Sequence, residues 1–178
     1  MFLNLSIAWF TGDFLKNGDT CLNILLWGPM GSGKSSFING ICNLFSEESE
    51  LQNPIQAYAS DTHVTTTYKL HNVSELLEQM PKQSPLHKKI AQSIRLRFGD
   101  PWGVTPENYK KLRIGDFLDA KIEPGPMTDS GNILRTPNPV DVIHNVIFIV
   151  PLTVAVSPDM LELLRSHIKE ALEAGNFS

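Results

Sequence analysis

Gly28-Pro29-Met30-Gly31-Ser32-Gly33-Lys34-Ser35 constrains this chain more than any other stretch. It fits the spacing G-x-x-x-x-G-K-[ST] and stands between an apolar run, Leu22 to Trp27, and a helical pattern from Lys34 to Phe45. A polyphosphate is dense negative charge, so a loop that wraps it must aim backbone N–H groups inward. Glycine permits that path and keeps Cβ atoms away. The helix that follows adds uncompensated N–H donors and a partial positive charge at its first turn, where Ser36 lies. Lys34 supplies a mobile ammonium for the β- and γ-phosphates, and the Ser35 hydroxyl can ligate Mg²⁺. Gly28, Gly31, Ser32, Gly33, Lys34, Ser35 and Ser36 are therefore the expected phosphate-binding residues. The bland alternative is a glycine-rich turn that binds nothing.

The rest of the chain sets the fold class. With 178 residues, 42% of them hydrophobic and 19% charged, one globular domain is expected. Val64 to Leu70 is β-branched and reads as a second strand. Ser74 to Met80 reads as a helical turn capped by Ser74, ended by Pro81 and Pro85. Ile94 to Phe98 alternates apolar residues with Arg95 and Arg97, as a strand with one less buried side would. Asn108 to Ala120 carries a mixed helical pattern, and Pro124 to Pro139 is loop-like. Val146 to Val150 suits a strand covered on both faces. The last helix is capped by Ser157, starts at Pro158, ends at Gly175 and presents Met160, Leu161, Leu164, Ile168, Ala171 and Leu172 as its stripe. This order predicts an α/β fold of the P-loop NTPase class, a mostly parallel sheet with helices on both faces. Residues 1–21 read as a lead-in, helical and packed on the domain, and residues 22–178 as the domain itself.

Charge and cysteine usage exclude several classes. The net charge of −4, with no basic run longer than Lys88-Lys89, argues against a nucleic-acid partner and against a polybasic membrane anchor. No stretch approaches the ~18 apolar residues that a transmembrane helix requires, and Met1 to Phe10 lacks the features of a secretory signal. Cys21 and Cys42 form no metal pattern or disulfide framework, which makes a reducing, cytoplasmic setting the expectation. His63, His71, His87, His144 and His167 show no metal-ligand spacing and read as surface or strand-end residues. Arg95 and Arg97 read as solvated strand positions.

Magnesium at a phosphate loop usually needs a carboxylate from a neighbouring strand end. Asp100 opens Asp100-Pro101-Trp102-Gly103, which fits the D-x-x-G pattern of GTPases. In that role Asp100 binds Mg²⁺ through a water, and the Gly103 N–H touches the γ-phosphate. The alternative is a bare turn, since Asp-Pro commonly opens one. Thr62, Thr65, Thr66 and Thr67 lie where GTPases carry a switch threonine. Thr65 is the choice among them, a third ligand beside Ser35 and Asp100, although threonine is also an ordinary strand residue. Val104 stands where a glutamine would orient the attacking water in Ras-type enzymes. Valine cannot, so intrinsic hydrolysis is expected to be slow, and a fast single-turnover rate would refute that expectation.

These segments resemble the interferon-induced protein 44 family. The resemblance rests on Ile24 to Asn39, on Val64-Thr65-Thr66-Thr67-Tyr68, on Phe98 to Val104 and on Ile143 to Ile149, and it spans roughly Leu22 to Gly175. It implies a cytoplasmic, GTPase-like domain of immune and antiviral responses, one that binds GTP or GDP with Mg²⁺ more than it turns GTP over; an unidentified protein partner or activating factor is expected besides. The chain departs from GTPases in one respect. An N/T-K-x-D guanine-reading motif would follow the helix from Asp159 to Ala174, and the sequence stops at Ser178. A fragment, truncated at its C-terminus, or a protein lacking that strand is therefore expected, with an apolar sheet edge left over. ATP and ADP stay open as ligands, in an ATPase or a small-molecule kinase, as does a nucleotide-free interaction module that keeps the loop as a relic.

Overall fold

Leu22 to Trp27 forms a strand because its alternate side chains find a core on each side. Leu25 and Trp27 enter one cluster, while Leu26, with Ile24 packed beside it, enters another. The computed structural model describes residues 5–7, 21–45, 55, 67–79, 95–105, 108–126, 135–151 and 158–174. Its strands are β1 (Leu5–Ile7), β2 (Leu22–Trp27), β3 (Thr67–Asn72), β4 (Leu96–Asp100), β5 (Gly125–Pro126) and β6 (Asn145–Phe148). Its α-helices are α1 (Lys34–Leu44), α2 (Val73–Gln79), α3 (Ile114–Leu118) and α4 (Pro158–Ala174), with 3₁₀ turns at Tyr109–Lys111 and Pro139–Asp141.

The strand order is β1-β6-β2-β4-β3-β5. β2 runs parallel to both β4 and β6, whereas β3 is antiparallel to β4 and to β5, and β1 is antiparallel to β6. The protein is α/β, as the sequence indicates, but its sheet is mixed rather than mostly parallel. Alternation of side chains records which face a residue occupies and is silent on strand direction. The lead-in likewise contributes a strand, not a helix, through Leu5–Ile7 on β6.

Helices cover both faces. On one side Ile38 and Cys42 of α1 and Val73, Leu76 and Leu77 of α2 pack with Leu26, Phe98 and Ile149. Burial raises the Cys42 thiol to about 11, so it behaves as a small apolar side chain. On the other side Ile114, Phe117 and Leu118 of α3 and Ala171 of α4 meet Leu25, Trp27, Tyr68, Trp102 and Phe148. Phe117 is the hub there, with its ring 5.3 Å from Trp27, 5.0 Å from Tyr68 and 6.0 Å from Trp102, each in an edge-to-face arrangement.

Several local expectations shift. The cap of α2 is Asn72, whose Oδ1 accepts from the Ser74 amide at 3.1 Å and the Ser74 hydroxyl at 2.8 Å. The Asn108 to Ala120 pattern splits into a 3₁₀ turn and the five-residue α3. α4 buries Leu164, His167 and Ala171, while Leu161 and Leu172 are exposed, so its inward face is rotated from the apolar stripe. His167 is inside because it has partners: its Nδ1 accepts from Trp27 Nε1 at 3.2 Å, and the backbone at Tyr109 and Leu112 bonds the ring as well. Arg97 is an anchor rather than a solvated position. Its Nε donates to Asn23 Oδ1 at 2.8 Å, its Nη1 to Asp141 Oδ1 at 3.0 Å and its Nη2 to the Val140 carbonyl. Ser157, Gly175 and the Pro81–Pro85 break lie outside the described residues.

Candidate functional site

The glycine-rich loop joins the C-terminal end of β2 to α1. Gly28 is required by close approach, since a Cβ there would sit 2.1 Å from the Ile149 carbonyl oxygen. Gly31 and Gly33 are required by torsion, with φ of +70° and +91°, and a Cβ on either would meet nothing within 4 Å. The loop is therefore curled, and among the described residues the space beside those two glycines is open. Gly33 is the N-cap of α1 and offers no side-chain cap, and the first turn holds no acidic residue. Among the described residues no side chain caps the N–H donors of this first turn, which carries the partial positive charge of a helix start.

Lys34 is buried, and its ammonium rests on the loop's own carbonyls, 3.3 Å from Gly28 O and 3.1 Å from Pro29 O. Desolvation lowers its pKa from 10.5 to about 8, against a smaller opposing pull from Asp100. Ser35, next on α1, donates its hydroxyl to Asp100 Oδ2 at 2.6 Å. Ser32 Oγ and Asp100 Oδ1 are both buried without a hydrogen-bond partner among the described residues. An uncompensated carboxylate oxygen beside a hydroxyl suits a hard cation, and a desolvated ammonium beside an unpartnered hydroxyl suits phosphate oxygens. Ser36 is exposed in the first turn of α1.

The structure thus brings together Gly28, Gly31, Ser32, Gly33, Lys34, Ser35, Ser36 and Asp100. Thr65 lies outside the described residues, as do Thr62 and Thr66. Thr67 is described and is the first residue of β3. Among the described residues no group of three or more His, Cys, Asp or Glu gathers as a metal site. A cation here would rely on Ser35, Asp100 and the ligand's own oxygens.

Gly103 lies against the loop by close approach: a Cβ would stand 2.3 Å from Met30 Cα and 2.5 Å from Met30 N. The contact is a short parallel bridge, in which the Val104 amide donates to Gly28 O at 3.0 Å and the Met30 amide to Val104 O at 3.2 Å. Sequence reading missed this bridge, because nothing in a D-x-x-G tetrapeptide announces pairing to the loop. It also missed Asn108, which clamps the segment by donating Nδ2 to Gly103 O at 2.9 Å and accepting the Thr105 amide at 2.8 Å. Thr105 returns the bond, its Oγ1 accepting from the Asn108 amide, and that reciprocal T-x-x-N spacing was the available signal. Trp102, next to Gly103, is buried with its indole N–H unpartnered among the described residues.

No family model matches this chain, and no solved structure matches it. The chain is similar to a von Willebrand factor A domain-containing protein of Dictyostelium discoideum, at 27% identity over 173 residues. The alignment covers 97% of this chain and 22% of that protein, so the chain spans well under two thirds of its relative's length. No described helix is long and apolar enough to cross a membrane.

Proposed function

We propose that this chain is a P-loop nucleotide-binding domain of the GTPase-like type, holding a magnesium-bound nucleoside triphosphate on the loop from Gly28 to Ser35. One observation carries the reading: Ser35 and Asp100, 65 positions apart, meet at 2.6 Å and leave one oxygen of the carboxylate buried and unpartnered. Gly31, Ser32, Gly33 and Ser36 line the phosphates, Lys34 leaves the loop carbonyls for the phosphate oxygens, and Ser35 and Asp100 hold the Mg²⁺, with Thr65 the further ligand expected from sequence. The metal, when bound, neutralises charge on the outer phosphates. A relic loop is disfavoured by Lys34, because an ammonium desolvated this far costs stability in the free protein unless a ligand repays it.

Hydrolysis is expected to be slow. Val104 is 1% exposed and belongs to the apolar cluster below the sheet, so it neither reaches nor polarises a water. Guanine is the leading base through the resemblance to the interferon-induced protein 44 family, which adds a cytoplasmic, immune-response setting; a partner or another segment would have to supply the group that Val104 lacks. Adenine remains the competing base. Titration with ribose-labelled GDP and ADP, each with Mg²⁺, decides between them, and preference for adenine removes the guanine reading. Lys34→Ala should abolish binding of either. A folded wild-type protein that binds neither nucleotide would overturn the whole proposal.

A further inference from the structure

We infer that Lys69 is a second cation for the terminal phosphate, a residue that makes the site prefer nucleoside triphosphates over diphosphates. The inference rests on the phosphate-loop reading and adds to it a residue that no motif marks.

Register places it. Lys69 on β3 is the direct partner of Asp100 on β4, and side chains of directly opposed residues share one face of a sheet. That face is the one bearing α1. Tyr68 and Leu70 on either side of Lys69 pack into the opposite cluster, and Asp100 reaches Ser35 on α1. The His71 imidazole, two positions along, feels the charges of both Asp100 and Lys69. Lys69 is exposed, and no carboxylate among the described residues lies within ion-pair distance of its ammonium.

Position then sets the role. Along the edge where β2 and β4 end, the order runs from the loop, through Asp100, to Lys69. Ser35 and Asp100 would hold the cation, and a terminal phosphate that shares it would lie toward the Asp100 side of the loop. Lys69 stands just past that point on a flexible four-carbon stem. A diphosphate ends short of it. Beside Lys34, Lys69 is, among the described residues, a second cation on the Asp100 side of the loop, and its side chain is exposed.

The test measures affinity and not turnover. Ribose-labelled GDP and a ribose-labelled, non-hydrolysable GTP analogue are titrated with Mg²⁺ into wild type, Lys69→Gln, Lys69→Met and Lys69→Arg, or the matching adenine pair if wild type binds adenine. Both neutral variants should weaken the triphosphate analogue about threefold to fivefold, the range of an exposed charge pair, and leave the diphosphate unchanged. Lys69→Arg should restore the preference, and raising salt should shrink the difference. Thermal melting of all variants should match wild type, since the side chain is exposed. An unchanged triphosphate-to-diphosphate ratio in both neutral variants, with Lys34→Ala still abolishing binding, overturns the role of Lys69 alone. Equal loss of both ligands overturns it as well. Failure of wild type to bind either nucleotide overturns the loop reading beneath it.

Discussion

Replacing Gly103 with alanine tests whether the segment after Asp100 is zipped onto the glycine-rich loop. The new methyl would lie 2.3 Å from Met30 Cα, 2.5 Å from Met30 N and 2.7 Å from Met30 Cβ. The nearest of these atoms are backbone, so no flexible side chain can yield. Either the loop or the Gly103 segment must move by more than an ångström, and the bridge between Val104 and Gly28/Met30 breaks. Two backbone hydrogen bonds at about 1 kcal/mol each, plus about 1–3 kcal/mol of strain, give a loss of about 3–5 kcal/mol. In a chain of this size that lowers the melting temperature by about 6–20 °C. Gly40 supplies the contrast. It is exposed in the middle of α1, and a Cβ there meets nothing within 4 Å, so Gly40→Ala should raise stability by about 1 kcal/mol through helix propensity. Denaturant melts of the two variants, with nucleotide titration alongside, make the assay. A Gly103→Ala protein that melts and binds like wild type would refute the close approach and the bridge together.

Three further outcomes follow from buried polar groups. Lys34 has its pKa near 8 in the free protein and 10.5 when unfolded, so the unfolded chain holds the extra proton between those values and stability rises with pH across that window. Lys34→Met should flatten this part of the curve, and triphosphate affinity in wild type, which needs the ammonium, should fall above pH 8. His167 is neutral because burial lowers its pKa from 6.5, against the pull of Glu170 and its backbone bonds. Its contribution is therefore complete above that value and fades as the pH drops below it, and acid melts of wild type against His167→Gln, read by Trp27 fluorescence, should show the difference. Arg97→Met strands Asn23 Oδ1 and removes one of two arginines from Asp141, whose other oxygen accepts Arg135 at 2.6 Å. Urea unfolding should report a loss of about 3 kcal/mol.

The loop and its flanks were legible because their constraints are local. The apolar run ended by Gly28 fixes β2 at Leu22–Trp27, and the glycines fix the turn. The helical spacing fixes α1 to within one residue of its observed end. Asp100 was legible at the end of its strand, though only the fold brings it to Ser35. What was hidden depends on partners far away in sequence. His167 looks like a surface histidine until Trp27, 140 positions away, supplies a donor. Arg97 looks solvated until the Pro139–Asp141 turn folds under it. Strand direction was hidden for another reason: β3 reads the same in either orientation, and only its pairing with β4 shows that Lys69 faces Asp100.

The stem of the loop is fastened on three sides. Trp27 O accepts the Ile149 amide at 2.7 Å, Gly28 O accepts the Val104 amide, and the Trp27 indole is tied to α4 through His167. A loop held this way, with the Met30 amide also bonded to Val104 O and the Ser32 amide to Pro29 O, behaves as a stiff turn whose shape is set by the fold itself. On the proposed reading, a ligand would then meet a loop that costs little ordering entropy, and the charges around its rim would set the discrimination. Loosening the stem would disturb both cores together, so its amides should exchange with deuterium only as fast as the whole domain opens.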